Sequence, residues 1–130
     1  MNKVLQEITV EEVMTENVIT IKMEEAITKA ADKMLKSKIH GLVTVDKSRP
    51  AGIISTFDLL KIVFMKEYRD SVPVKTFASK QELITVSPDD TLEAAALLMV
   101  DNNIRTLPVV SGEKLVGIVS MMDIMRKIIP

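Results

Sequence analysis

The chain has 130 residues, a formal net charge of −1 and 47% hydrophobic residues, the size and apolar content of one packed domain. It has no cysteine, one histidine and 3% aromatic residues, which excludes disulfides, thiolate metal sites and cysteine nucleophiles and leaves Ile, Val, Leu, Met and Ala to build the core. No long basic run exists, which argues against nucleic acid, and the longest apolar run, residues 94–100, is far shorter than the ~20 residues of a membrane span.

Residues 1–17 form a lead-in with no signal-peptide pattern. Within it, Thr9-Val10-Glu11-Glu12 fits a helix start, a threonine cap followed by first-turn carboxylates. Residues 18–21 read as a short strand. A helix over 24–36 follows, with Ala26, Ile27, Ala30, Ala31, Met34 and Leu35 at three- and four-residue spacing and Lys29, Lys33 and Lys36 among the outward positions. Strands at 41–46 and 51–55 flank the turn Asp46-Lys47-Ser48-Arg49-Pro50, and a helix over 57–68 comes next. Residues 69–75, with Asp70, Ser71 and Pro73, read as a linker. The order then recurs: strand 83–86, helix 90–102, strands 107–110 and 115–119, and helix 122–128. Ser111-Gly112-Glu113-Lys114 makes the second turn, and Pro88, Asp89 and Asp90 open the helix before it.

The recurrence is a sequence repeat. Residues 19–61 align with 84–126 at a constant offset of 65 and no gap. Ile19-Thr20 returns as Ile84-Thr85, Ala30-Ala31 as Ala95-Ala96 and Met34 as Met99. Ile39, Leu42 and Val45 return as Ile104, Leu107 and Val110. Each unit reads strand, helix, strand, strand, helix, and neither has enough strands to bury its faces alone, so the two are expected to pack as one domain.

Two paired features carry chemistry. The first is Gly-apolar-apolar-Ser-x-x-Asp at residues 52–58 and 117–123. A strand ends on a serine (Ser55, Ser120) and a helix starts at once, where free amide N–H groups favour an anion such as phosphate. The aspartate three residues on (Asp58, Asp123) is an acceptor whose two oxygens suit the paired hydroxyls of a ribose. The same residues also make a capping box that serves only the helix, and the two roles can coexist. The second feature lies between helix and strand: Ile39-His40-Gly41-Leu42 in one unit and Ile104-Arg105-Thr106-Leu107-Pro108 in the other. It sets a basic side chain at the same repeat position, His40 or Arg105, where it could reach a phosphate. Thr20-Ile21 and Thr85-Val86, at the ends of the first strands, could meet a flat base, although threonine also suits a strand for its own sake.

Other constellations are missing. The four glycines form no phosphate-binding or dinucleotide loop, one histidine cannot build a His-rich metal site, and no nucleophile has an activating base. No enzymatic activity, no metal and no cofactor are expected.

Val-x-Thr/Ile before Ala-x-x-x-Met, then Ile-x-x-Leu-Pro-Val-Val, then Gly-Ile-Val-Ser-x-x-Asp, together with the Glu-Glu-Val-Met-Thr lead-in, resembles the CBS domain in tandem, the Bateman module. The resemblance spans nearly the whole chain. It implies an α+β fold of two β-α-β-β-α repeats packed about a pseudo-twofold axis, with repeat 1 over 8–68, a linker over 69–75, and repeat 2 over 76–130. It also implies clefts between the repeats that bind adenosine-containing ligands, AMP, ADP or ATP foremost, with S-adenosylmethionine or NAD as alternatives.

Carried over onto this chain, the resemblance assigns the ribose to Asp58 and Asp123 and the phosphate to Ser55 and Ser120. The lining falls to Ile39, His40, Gly41, Leu42, Arg105, Thr106, Leu107 and Pro108, with Thr20, Ile21, Thr85 and Val86. Unit two keeps the family pattern more fully, so the clefts are expected to be unequal, with phosphate held best where Arg105 contributes. A cytoplasmic homodimer acting through an effector protein is expected. The other reading is a ligand-free dimerisation module, and nucleic-acid binding is disfavoured by charge and scarce aromatics.

Overall fold

The structure, a computed structural model, describes residues 2–64, 72–78 and 83–129. In chain order the elements are α1 (Asn2–Glu7), β1 (Thr20–Lys22), α2 (Ile27–Ser37), β2 (Gly41–Asp46), β3 (Arg49–Ser55), α3 (Thr56–Val63), α4 (Leu92–Asn102), β4 (Thr106–Ser111), β5 (Lys114–Ser120) and α5 (Met121–Ile128). Single 3-10 turns stand at Val10–Glu12 and Val74–Thr76. The chain divides into two compact units. The central unit is Ile19–Leu83, and the terminal unit joins Met1–Val18 to Ile84–Pro130. The expected helix end at 65–68 and the linker residues 69–71 lie outside the described residues.

In the central unit β1 runs parallel to β2, with Thr20 opposite Val43, and β2 runs antiparallel to β3, with Gly41 opposite Ser55. The parallel pair needs a crossover, which α2 supplies. Ile27, Ala30 and Met34 face one side of α2 at helical spacing and bury against Ile21, Leu42 and Ile54. The β2–β3 loop is tighter than the sequence suggested. Only Lys47 and Ser48 make it, both with positive φ (50° and 69°), the two-residue turn that matches strand twist. The strand after it therefore starts at Arg49 rather than at 51.

The terminal unit repeats this plan with one difference. Thr106 pairs with Ser120 and Pro108 with Ile118 across β4 and β5. The expected strand at 83–86 is reduced to a single parallel bridge from Val86 to Val109. Pro108 explains it. Its carbonyl accepts from the Val86 N–H at 3.1 Å, so its nitrogen faces the same side, where a non-proline residue would donate the next ladder bond. The central unit has Val43 there, and a three-residue strand forms.

Both major helices start later than their sequence pattern, at Ile27 instead of 24 and at Leu92 instead of 90. Short segments pair with the backbone just ahead of them. In the central unit Val74 N–H donates to Glu25 O at 2.7 Å and Ile27 N–H to Val72 O at 2.9 Å. In the terminal unit Val10 N–H donates to Asp90 O at 2.8 Å and Leu92 N–H to Ile8 O at 2.9 Å. Backbone groups held in these bridges cannot adopt helical pairing. The segments also fill the cores, since Val10 and Val74 are both completely buried, each worth about 1.5–3 kcal/mol of apolar burial.

The lead-in of the terminal unit is fixed locally by a capping pair and attached to the edge of β5. The Glu12 carboxylate accepts from the Thr9 N–H at 2.6 Å and from its hydroxyl, bonds that hold this acid below the usual carboxylate range. Thr15 exchanges two backbone bonds with Ile118 on the edge of β5, at 2.9 and 3.0 Å. Gly117 permits that approach: a Cβ there would stand 2.5 Å from Met14 Sδ and 3.1 Å from the Thr15 carbonyl oxygen.

Among the described residues two buried side-chain oxygens have no hydrogen-bond partner, Glu25 Oε2 and Thr44 Oγ1. Thr44, fully buried in β2, has no partner for its hydroxyl, and the same repeat position in the terminal unit is Val109. Thr44→Val keeps the shape and removes the unpaired group, so it is expected to stabilise the central unit by about 1 kcal/mol, read from the denaturation midpoint. An unchanged or lower midpoint would show that the hydroxyl has a partner in solution. Among the described residues, no helix is long and apolar enough to cross a membrane.

Candidate functional site

The start of β1, the start of β2 and the end of β3 share one end of the central sheet. Helix α3 begins there, directly after Ser55. The Ser55 hydroxyl accepts from the Asp58 N–H at 3.1 Å, and Asp58 Oδ2 accepts from the Ser55 N–H at 2.8 Å and from the Ser55 hydroxyl at 2.9 Å. The capping box is therefore complete. The His40 carbonyl accepts the next helix amide, Thr56 N–H, at 2.8 Å. That bond ties the two sequence features together. His40 and the Ser-Asp pair, fifteen residues apart, belong to one corner of one unit.

The terminal unit builds the same corner. Ser120 caps Asp123 N–H at 3.2 Å, Asp123 Oδ2 accepts from Ser120 N–H at 2.8 Å, and the Arg105 carbonyl accepts Met121 N–H at 2.9 Å. Two of the first three helix amides are thus already bonded at each corner, which narrows the anion-binding capacity expected from a bare helix start. The carboxylates are narrowed too. Asp58 and Asp123 each hold Oδ2 in the cap, which leaves Oδ1 outside it. At Asp123 that oxygen accepts from Arg126 at 3.1 Å, whereas at Asp58 the Lys61 ammonium stands off at 3.9 Å.

The other expected site residues divide by burial. Ile21, Leu42, Val86 and Leu107 are buried in the cores and Pro108 is also buried, so none of these five presents a side chain at the surface of its corner. Thr20, Ile39, Gly41 and Thr106 are half-buried at the sheet ends. The His40, Thr85 and Arg105 side chains are exposed.

An open cavity of about 380 Å³ in the central unit is lined by Asp58, Lys61, Ile62 and Phe77. Its volume lies in the ordinary small-molecule range of about 300–1,000 Å³, and it pairs an apolar floor with a charged rim. Lys61 also lies over the Phe57 ring, 5.1 Å from its centre. Lys61, Arg126 and Phe77 were not read from the sequence as site residues. The spacing of Lys61 and Arg126, three residues after each aspartate, was the available signal.

The paired corners, the β-α-β-β-α order and the interlocked lead-ins agree with the family model of the CBS domain, which matches residues 10–64 and 71–130. The chain belongs to the CBS-domain family. Its fold is α+β with two CBS repeats. The protein MJ1404 of Methanocaldococcus jannaschii is 36% identical over 141 residues, covering 98% of this chain and 33% of that one. The chain spans less than two-thirds of the length of this and a second curated relative. Among solved structures, the CBS-domain pair of MJ0100, in complex with 5′-methylthioadenosine and S-adenosylmethionine, is 28% identical with a TM-score of 0.80, over 91% of this chain and 93% of that one. CBSX2 in complex with AMP is likewise 28% identical with a TM-score of 0.80, over 92% and 94%. Among the described residues of this CBS pair, no group of three or more His, Cys, Asp or Glu side chains could hold a metal ion.

Proposed function

We propose that this CBS pair is a regulatory module without catalysis of its own that binds an adenosine-containing ligand, AMP, ADP or ATP, at the corners carrying Ser55 with Asp58 and Ser120 with Asp123. The observation that carries the reading is the bond from each helix start to the carbonyl of the basic residue. It brings a carboxylate, a serine hydroxyl and the residue His40 or Arg105 together at one corner of each repeat, which supports a ribose and phosphate reading there. Two structural relatives at 28% identity hold adenosine compounds, which supports the same ligand class here. The Oδ1 atoms outside the caps serve as ribose acceptors, the one on Asp123 in place of its bond from Arg126, and exposed Arg105 and His40 favour phosphate over a sulfonium.

A thermal-shift panel of AMP, ADP, ATP, S-adenosylmethionine, 5′-methylthioadenosine and NAD tests the reading. Ligand at a hundredfold over its Kd is expected to add about 2.7 kcal/mol. No response to any member would leave the corners as helix caps and favour a ligand-free interaction module.

The reading includes a cytoplasmic homodimer that passes the signal to an effector protein. Phe57, Leu60 and Phe64 on and just after α3 are exposed at i, i+3 and i+7, and Met122, Met125 and Ile129 repeat the stripe on and just after α5. Phe64 is 84% exposed. Like stripes at like repeat positions suit a second copy of the chain, because a twofold contact brings identical surfaces together. Phe57→Glu with Met122→Glu is expected to convert a dimer to a monomer in analytical ultracentrifugation. A wild type that sediments as a monomer at high micromolar concentration would remove the dimer.

A further inference from the structure

The sheet end of the central unit carries a cation that its counterpart lacks. Lys33 lies in the middle of α2, three residues after buried Ala30 and one before buried Met34, and is half-buried. The sequence pattern put it on the outward side. Instead its ammonium donates to the Thr20 carbonyl at 2.7 Å, at the start of β1. Among the described residues it has no carboxylate partner, whereas Lys36, one turn on, pairs with Asp32 at 3.0 Å. Sixty-five residues later the matching position is Leu98.

A half-buried ammonium with only a carbonyl for a partner still has two N–H donors to place. β1 lies two strand spacings, about 10 Å, from β3, which ends at Ser55 ahead of Asp58. A nucleotide with its ribose at Asp58 and its base directed toward β1 therefore brings the base to Thr20 and Lys33. A bare Thr20 carbonyl would accept the C6 amino group of adenine. With Lys33 seated on it, that spot donates. Adenine then offers the ammonium one acceptor, N7, beside the N6 amino donor, while hypoxanthine and guanine present two acceptors, O6 and N7, which a lysine ammonium suits better.

We propose that Lys33 selects the base, giving the central unit a preference for 6-oxopurine nucleotides such as GMP or IMP, while the terminal unit, with Leu98 in its place, keeps adenine. This rests on the nucleotide-binding reading of that corner and narrows it, since the adenine preference then belongs to the Ser120–Asp123 corner and the central corner binds AMP more weakly than GMP or IMP. The test is titration calorimetry of the full chain with AMP, GMP and IMP. It is run in an Asp123→Ala background, so that the central corner reports, with and without Lys33→Leu and Lys33→Arg.

The leucine is already accommodated at this position of the other repeat, and circular dichroism and the thermal midpoint verify folding. Lys33→Leu is expected to weaken GMP and IMP by about five- to 150-fold, the range of one base contact, with AMP unchanged or tighter. Lys33→Arg is expected to retain the 6-oxopurine preference. An equal GMP-to-AMP ratio in the parent and Lys33→Leu, with AMP still bound, would overturn the role of Lys33 alone. If no purine nucleotide binds the parent, whether or not Asp123 is restored, the nucleotide reading falls and takes this inference with it.

Discussion

Asp58→Ala combined with Asp123→Ala is expected to abolish ligand-induced stabilisation and to lower intrinsic stability in the same protein. The two losses have separate causes. Each aspartate Oδ2 accepts the N–H of its own cap serine at 2.8 Å, so alanine leaves two half-buried amides without acceptors, at about 1–3 kcal/mol each. On the proposed function the Oδ1 outside each cap receives the ribose, so the ~2.7 kcal/mol gained from ligand at a hundredfold over Kd is expected to disappear. Thermal melts with and without AMP or ATP separate the terms. Asp58→Asn with Asp123→Asn keeps an oxygen for the cap and removes the charge, and is expected to recover most of the intrinsic stability. A double alanine variant that melts lower but keeps its full ligand shift would confine these residues to capping.

Gly117→Val is expected to cost about 1–3 kcal/mol and to detach the lead-in from β5. The first new atom already stands 2.5 Å from Met14 Sδ and 3.1 Å from the Thr15 carbonyl oxygen. The methionine end can swing aside, but the carbonyl cannot, because Thr15 is held by its two bonds to Ile118. Valine adds two further carbons at this buried site. Hydrogen exchange at the Thr15 and Ile118 amides provides the readout. Both are expected to lose protection in the variant while the amides of β2 and β3 keep theirs. Unchanged exchange at Thr15 would mean that the lead-in holds its place by other contacts, with Val10 in the core foremost.

Most of the element pattern was legible because it depends on local chemistry. The serines at 55 and 120 end strands and cap helices as their spacing with Asp58 and Asp123 requires. The misses have non-local causes. Helices α2 and α4 start late because residues 72–75 and 8–11 take the backbone ahead of them. The strand at 83–86 shrinks to one bridge because of a proline on a different strand. Helical spacing alone puts Lys33 outward, and nothing local to α2 shows that the Thr20 carbonyl lies within its reach.

The sequence by itself determined the repeat, the family pattern and the pairing of Ser55 and Asp58 with Ser120 and Asp123, all of which rest on spacing along the chain. Only the tertiary structure decided which partners those groups keep. It joined His40 to the Ser55 corner and set Lys33 over the carbonyl of Thr20. The reason is physical: spacing fixes which face of an element a residue occupies, whereas its bonding partners depend on distances between segments far apart in the chain, which close only when the cores pack.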